Sequence, residues 1–165
     1  MTKKAIAKLG VQPHTIQELR QSYALDGATS ESFMEVFCPP RVCPAFERLG
    51  VAATVSADIV TRWDLSQQSH RTFLMELVRR KQPQSILLSP PCLPFSQMQR
   101  TNVGRSDPAL VVAKLREGRE FVKFSMTIAR AQILGGRCFV YEHPSHASSW
   151  HEQSVTSVSK LKGVK

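Results

Sequence analysis

Four short apolar runs, set between longer amphipathic stretches, most narrowly restrict what this chain can fold into. They are FMEVF (33–37), AATVSA (52–57), SILLS (85–89) and CFVYE (138–142). Each is β-branched or aromatic in part and is bounded by Pro, Gly or polar residues, as strands are. Between them, residues 42–49 and 66–80 read as helices. In the second, Phe73, Leu74, Leu77 and Val78 fall at helical spacing behind an N-cap at Ser66 or Ser69. Residues 108–133 carry the longest helical pattern, with Phe121, Phe124, Ser125, Ile128 and Ala129 as its stripe and Gly135-Gly136 as its stop. A last amphipathic stretch covers 150–161. Strand–helix alternation of this kind predicts an α/β fold, doubly wound around a mostly parallel, Rossmann-like sheet. Residues 32–165 make up that domain. Residues 1–31 form a polar N-terminal extension, partly helical near 15–24 or disordered.

At 165 residues the chain is the size of one ordinary domain and can bury a core without metal or disulfides. No apolar run approaches the roughly 18 residues of a membrane span, and MTKKAIAKLG lacks the apolar stretch of a secretory signal. A membrane partner is therefore not expected. Lys and Arg exceed Asp and Glu by 22 to 13, a net charge of +9 that favours a polyanionic partner, with nucleic acid first. The four cysteines, Cys38, Cys43, Cys92 and Cys138, form no CxxC pair, so no structural zinc site is expected. Free thiols in a reducing, intracellular compartment follow: the nucleus in a eukaryote, the cytoplasm otherwise. His143, His146 and His151 lack a carboxylate or cysteine at ligand spacing and read as solvated loop histidines.

In open parallel sheets, ligands sit beyond the carboxyl ends of the strands. The residues with chemistry fall there: 35–40 after the first strand, Asp58 after the second, 89–95 after the third and 142–144 after the fourth. SPPCLPFSQ (89–97) is the sharpest segment. Two prolines directly after a strand stop ladder pairing and stiffen the loop that presents Cys92. A cysteine nucleophile needs such a place, open to substrate and held on rigid backbone. The other fate of such a cysteine is burial as a small hydrophobe.

Pro-Pro-Cys followed by Phe-Ser resembles the catalytic loop of the DNA (cytosine-5) methyltransferases, with Pro91, Cys92, Phe95 and Ser96 matching and Leu93 departing. Glu142, 50 residues later at a strand end, matches the glutamate of that family's Glu-Asn-Val motif, although His143-Pro144 follows it here. At the first strand, Glu35 and Phe37 stand where the family has the Asp and Phe of Asp-Leu-Phe-x-Gly-x-Gly-Gly; Cys38-Pro39-Pro40-Arg41 replaces the glycines. Asp58 corresponds to the acid that accepts the ribose hydroxyls, and Asp64 to the acid that reads the adenine amino group. These elements keep the family order from Phe33 to Trp150. The resemblance implies a fold of the S-adenosyl-methionine-dependent methyltransferase type. It implies S-adenosyl-methionine as cofactor, held by Glu35, Phe37, Cys38, Pro39, Asp58, Asp64 and Pro91, and DNA as partner. Cys92 would add to carbon 6 of cytosine, Glu142 would hold ring nitrogen 3, and Arg100 and Arg105 would contact phosphates. The family's Gln-x-Arg-x-Arg strand and target-recognition region have no counterpart here, so the chain is expected to be either a fragment of a longer protein or a reduced homologue that takes recognition from a further chain or domain or does without it.

Two other readings remain open. One is a non-catalytic descendant of the family that keeps the fold as a DNA-binding or interaction module, as in a mobile-element polyprotein. The other is an unrelated cysteine-dependent enzyme such as a hydrolase, for which no His pairs with an Asn or Asp in a recognisable pattern.

Overall fold

A computed structural model describes Gly10 and residues 12–23, 33–96 and 107–165. Its centre is a four-stranded sheet of β1 (Phe33–Val36), β2 (Ala53–Ala57), β3 (Ser85–Leu88) and β4 (Cys138–Tyr141). The order is β2-β1-β3-β4 and every neighbouring pair is parallel. All four strands lie where the apolar runs predict them. Among the described residues five α-helices accompany them: α1 (Ile16–Ser22), α2 (Cys43–Arg48), α3 (Gln68–Lys81), α4 (Pro108–Leu134) and α5 (Gln153–Ser159). The protein is thus α/β, with an all-parallel sheet flanked by helices. Among the described residues no helix is long and apolar enough to cross a membrane.

Period-two alternation assigns the two faces of the sheet. Met34, Val36, Val55, Ala57, Ile86 and Leu88 have no exposed surface and share one core with Phe73, Leu74, Leu77 and Val78 of α3 and Val122 and Ile128 of α4. Phe33 points the other way, where its ring stacks on Phe46 of α2 at 4.4 Å between centroids. Residues at 33–36 are buried without alternation, as strands covered on both faces are. Each fully buried Leu, Ile or Val here contributes about 1.5–3 kcal/mol of hydrophobic stabilisation.

Local chemistry sets the helix ends. Asp107 caps α4 by accepting from the Ala109 N–H at 2.9 Å, and Pro108 sits in the first turn, where its missing N–H is harmless. Gly135 closes that helix and Gly136 turns the chain at φ 67°, where a side chain would be strained. Thr15 and Glu18 form a reciprocal capping box on α1. That short helix is anchored to the domain. Leu19 is wholly buried in the main core, and Arg20 pairs with Glu76 of α3 at 3.0 Å.

Two elements differ from expectation. Neither Ser66 nor Ser69 caps α3; Gln67 occupies the cap position without a side-chain bond, while Ser66 donates to Asp64. The stretch expected as one helix over 150–161 is a 3-10 turn (Ser148–His151) and then α5, broken at Glu152, whose backbone is extended (φ −63°, ψ 137°). Arg119 of α4 holds the Glu152 carboxylate at 2.9 Å, and that contact favours the break.

Candidate active site

The strand order reverses between β1 and β3, because β1 leads to β2 on one side and the chain then returns to β3 on the other. Such a switch point opens a crevice at the carboxyl ends of the strands. The ladders run past the strand ends to align that edge: the Phe37 N–H donates to Ala57, Ser89 to Val36 and Glu142 to Leu88, at 2.9, 3.1 and 2.9 Å. A cleft of about 240 Å³ lies there, with Phe37, Pro39, Asp58, Trp63, Asp64, Ser89, Pro91, Glu117 and Phe121 among its walls. Five residues carried over from the family's cofactor motif thus share one cleft: Phe37, Pro39, Asp58, Asp64 and Pro91.

Glu35 and Cys38, expected beside them, do not line it. Glu35 is wholly buried under the turn; one carboxylate oxygen accepts from the Val42 N–H at 3.1 Å and the other from the Ser56 hydroxyl. It is a tether that ties the loop after β1 to β2 and to the start of α2. Cys38 is half-buried, and burial followed by the nearby Glu35 charge pushes its thiol up from the usual cysteine value. Above the tether Phe37 adopts φ 61°, a left-handed conformation uncommon for an aromatic residue. Its ring rests against Phe121 at 5.1 Å and Phe124 at 6.4 Å on α4.

The carboxylates in the cleft differ in what already holds them. Asp58 caps a 3-10 turn (Ile59–Thr61) by accepting from the Val60 N–H at 3.0 Å, and burial raises its carboxyl above the usual range. The turn closes in a Schellman arrangement: the Trp63 N–H reaches the Asp58 carbonyl at 2.9 Å and Arg62 is left-handed at φ 66°. Burial alone would also raise Asp64. Hydrogen bonds from the Ser66 hydroxyl (2.6 Å), the Gln67 amide (3.0 Å) and the Ser66 N–H (3.0 Å) outweigh it and hold that carboxyl low. His70 is buried behind this turn and its Nδ1 accepts from the Asp64 N–H at 3.0 Å. No Lys or Arg lines the cleft among the described residues.

The Pro-Pro-Cys loop forms the neighbouring wall. Pro90 is buried, Pro91 lines the cleft, and Cys92 is half-buried with φ −84° and ψ −17°. Its carbonyl accepts from the Phe95 N–H at 2.9 Å, which starts the 3-10 turn Leu93–Phe95. Glu142 is exposed at the end of β4, next to β3 in the sheet. Arg100 and Arg105 lie outside the described residues.

His143 is a correction to the sequence expectation. It is 7% exposed, not a solvated loop residue; His146 and His151 are exposed as expected. Its Nε2 meets the Pro90 carbonyl at 2.8 Å and its Nδ1 meets the Ser149 hydroxyl. A carbonyl only accepts, so Nε2 carries the proton and the neutral Nδ1 accepts from Ser149. Burial lowers the pKa of this ring, in keeping with that neutral state. Trp63 and Glu117 are further wall residues that sequence reasoning did not single out, and Phe121 was read only as part of the apolar stripe of its helix. Trp63 stood one residue before the chosen Asp64, and nothing in the local pattern marked Glu117.

Comparison with protein-family models, with curated proteins and with solved structures returns no match.

Proposed function

We propose that this domain is the cofactor-binding and catalytic half of a DNA (cytosine-5) methyltransferase-type enzyme, with S-adenosyl-methionine in the cleft and Cys92 as nucleophile. One observation carries the reading. Five residues chosen by motif position alone line a single crevice at the topological switch point, and Pro91 joins that crevice to the Cys92 loop. The chemistry of the walls suits the group. S-adenosyl-methionine bears an ammonium and a sulfonium against one carboxylate, and here Asp58, Asp64 and Glu117 line a cleft that has no cationic side chain among the described residues, in a chain of net charge +9. Phe37, Trp63 and Phe121 offer aromatic surface for a purine.

When bound, the cofactor supplies an electrophilic methyl group for carbon 5 of the base. The protein's own part is to make that carbon nucleophilic. The Cys92 thiolate forms a bond to carbon 6, and the displaced π pair turns the ring into an enamine. Glu142, carrying or sharing a proton, donates to ring nitrogen 3 and stabilises the negative charge that builds there on addition. With carbon 5 methylated, a water molecule takes its proton, the C–H pair restores the 5,6 double bond, and the bond to carbon 6 breaks to release Cys92 as thiolate. The target base must leave the duplex to reach the sheet edge, and basic surface holds the flanking phosphates.

Calorimetric titration of S-adenosyl-methionine into the purified chain tests this, with Asp58→Ala as control. Micromolar binding abolished by the substitution is expected. A folded protein that binds no S-adenosyl-methionine overturns methyl transfer by this chain, and DNA binding without it would select the non-catalytic module.

A further inference from the structure

We propose that His143 is the positioning residue for the Cys92 loop: its Nε2–H fixes the Pro90 carbonyl, and this contact sets how far the cysteine is presented. The inference rests on Cys92 being the reactive thiol.

Beyond Ser89, whose N–H still reaches Val36, the loop to Ser96 pairs with no strand among the described residues, and its prolines offer no N–H with which to tie it down. Two contacts from the segment after β4 hold it. On one side of Cys92 the His143 ring donates to Pro90 at 2.8 Å; on the other the Ser148 hydroxyl donates to the Phe95 carbonyl at 3.4 Å. The first is the shorter and the more buried. The ring cannot easily turn away. Tyr141 stacks on it at 5.2 Å, Phe95 meets it at 5.8 Å, and the Ser149 hydroxyl engages its other nitrogen. A neutral imidazole packed by two aromatic rings and engaged at both nitrogens is a rigid strut between β4 and the loop. Nothing else in the cleft uses His143, since it does not line the walls.

The chain contains its own comparators. Cys43 is buried and reports global loosening, while Cys138 is exposed on β4 and reports the strand edge. The experiment is alkylation of the native protein with iodoacetamide, with the rate at each cysteine read by mass spectrometry, in wild type, His143→Leu and His143→Gln. The Leu variant removes the donor; the Gln amide can place an N–H where Nε2 stood. We expect Cys92 to label several-fold faster in His143→Leu, Cys43 and Cys138 to stay within twofold of wild type, and His143→Gln to restore the Cys92 rate. A uniform rise at Cys43 and Cys92 would mean a purely structural histidine and overturn the proposal. So would an unchanged Cys92 rate, or a Gln variant that behaves like Leu. If His143→Leu does not fold, Ser149→Ala serves instead: it unpins Nδ1, and the Cys92 rate must rise at constant Cys43 rate. Labelling does not require methyl transfer, so an inactive enzyme with a clamped loop and an active one with an unclamped loop give different results.

Discussion

Gly118 lies inside α4 with the Pro-Pro-Cys loop pressed against it, so replacing it with alanine tests whether that helix braces the loop. In an unobstructed helix interior, Gly→Ala stabilises by about 1 kcal/mol, because alanine orders less backbone entropy and has the better helix propensity. Here a β-carbon would stand 3.0 Å from Pro94 Cγ, 3.1 Å from Phe95 Cε2 and 3.1 Å from Pro94 Cβ. All three are several tenths of an ångström inside ordinary carbon contact. Neither neighbour yields easily: one is a proline ring, and the other is a side chain only 3% exposed. Overpacking of this kind costs about 1–3 kcal/mol. With about 2 kcal/mol of strain against about 1 of propensity, Gly118→Ala is expected to destabilise by about 1 kcal/mol. For a domain of this size that lowers Tm by about 2–4 °C. Urea and thermal unfolding of the two proteins measure it. A variant about 1 kcal/mol more stable than wild type would refute the reasoning, because it would mean that the loop moves aside freely and α4 does not brace it.

Other expectations follow from single residues. Burial lowers the pKa of both His70 and His143, outweighing the pull of Asp64 on the first and the Pro90 hydrogen bond on the second. Their folded pKa values thus lie below the unfolded value of about 6.5, the unfolded chain binds more protons in between, and stability rises with pH there. It is complete above about pH 6.5 and lost as pH falls through the folded values, so the urea midpoint should drop from pH 7.5 to 5.5; a midpoint that climbs instead contradicts the buried neutral rings. Glu35→Ala strands the Val42 N–H and the Ser56 hydroxyl and should cost about 2–4 kcal/mol in urea unfolding, whereas Glu35→Gln can accept from one and donate to the other and should stay within about 1. Trp63 is 1% exposed and lines the cleft, so in a Trp150→Phe background its emission should change saturably with S-adenosyl-methionine, and should not do so when Asp58 is alanine.

Strand β1 was legible because a strand covered on both faces must be apolar almost throughout, and the others because they are short apolar runs, although burial alternates in β3 and β4. Their spatial order was not, since the same runs serve several parallel arrangements. Helix α4 was legible from its stripe and its glycine stop. The start of α3 was misjudged because Ser66 has two possible uses, and Asp64, two residues back, claims its hydroxyl at 2.6 Å. The same bond shows what motif position leaves out: Asp64 stands at the cleft, but both of its oxygens already serve the turn. His143 was misread for a different reason. A histidine beside proline and glutamate looks solvated, and its burial depends on the Pro90 carbonyl, which lies 53 residues away in sequence.

The turn after β1 shows how the absence of glycine redirects recognition. A glycine there would reach positive φ without strain and let a ligand approach bare backbone. Phe37 reaches φ 61° all the same, a conformation that costs an ordinary residue about 1–2 kcal/mol. The structure holds it there from two sides: Glu35 ties the loop down from below, and Phe121 and Phe124 receive the ring from α4. Because Pro39 lines the cleft, the chain offers a ring there where a glycine would offer its N–H, and proline has none to offer. Under the proposed function, binding energy would then come from the Phe37 ring, the neighbouring aromatics and the Asp58 carboxylate. Phe37→Gly separates the two contributions. It should relax the turn by about 1–2 kcal/mol, offset by the loss of aromatic packing on α4, and it should weaken S-adenosyl-methionine binding in calorimetry. Tighter binding in that variant would mean that close backbone approach outweighs the aromatic wall, and that Phe37 obstructs the ligand.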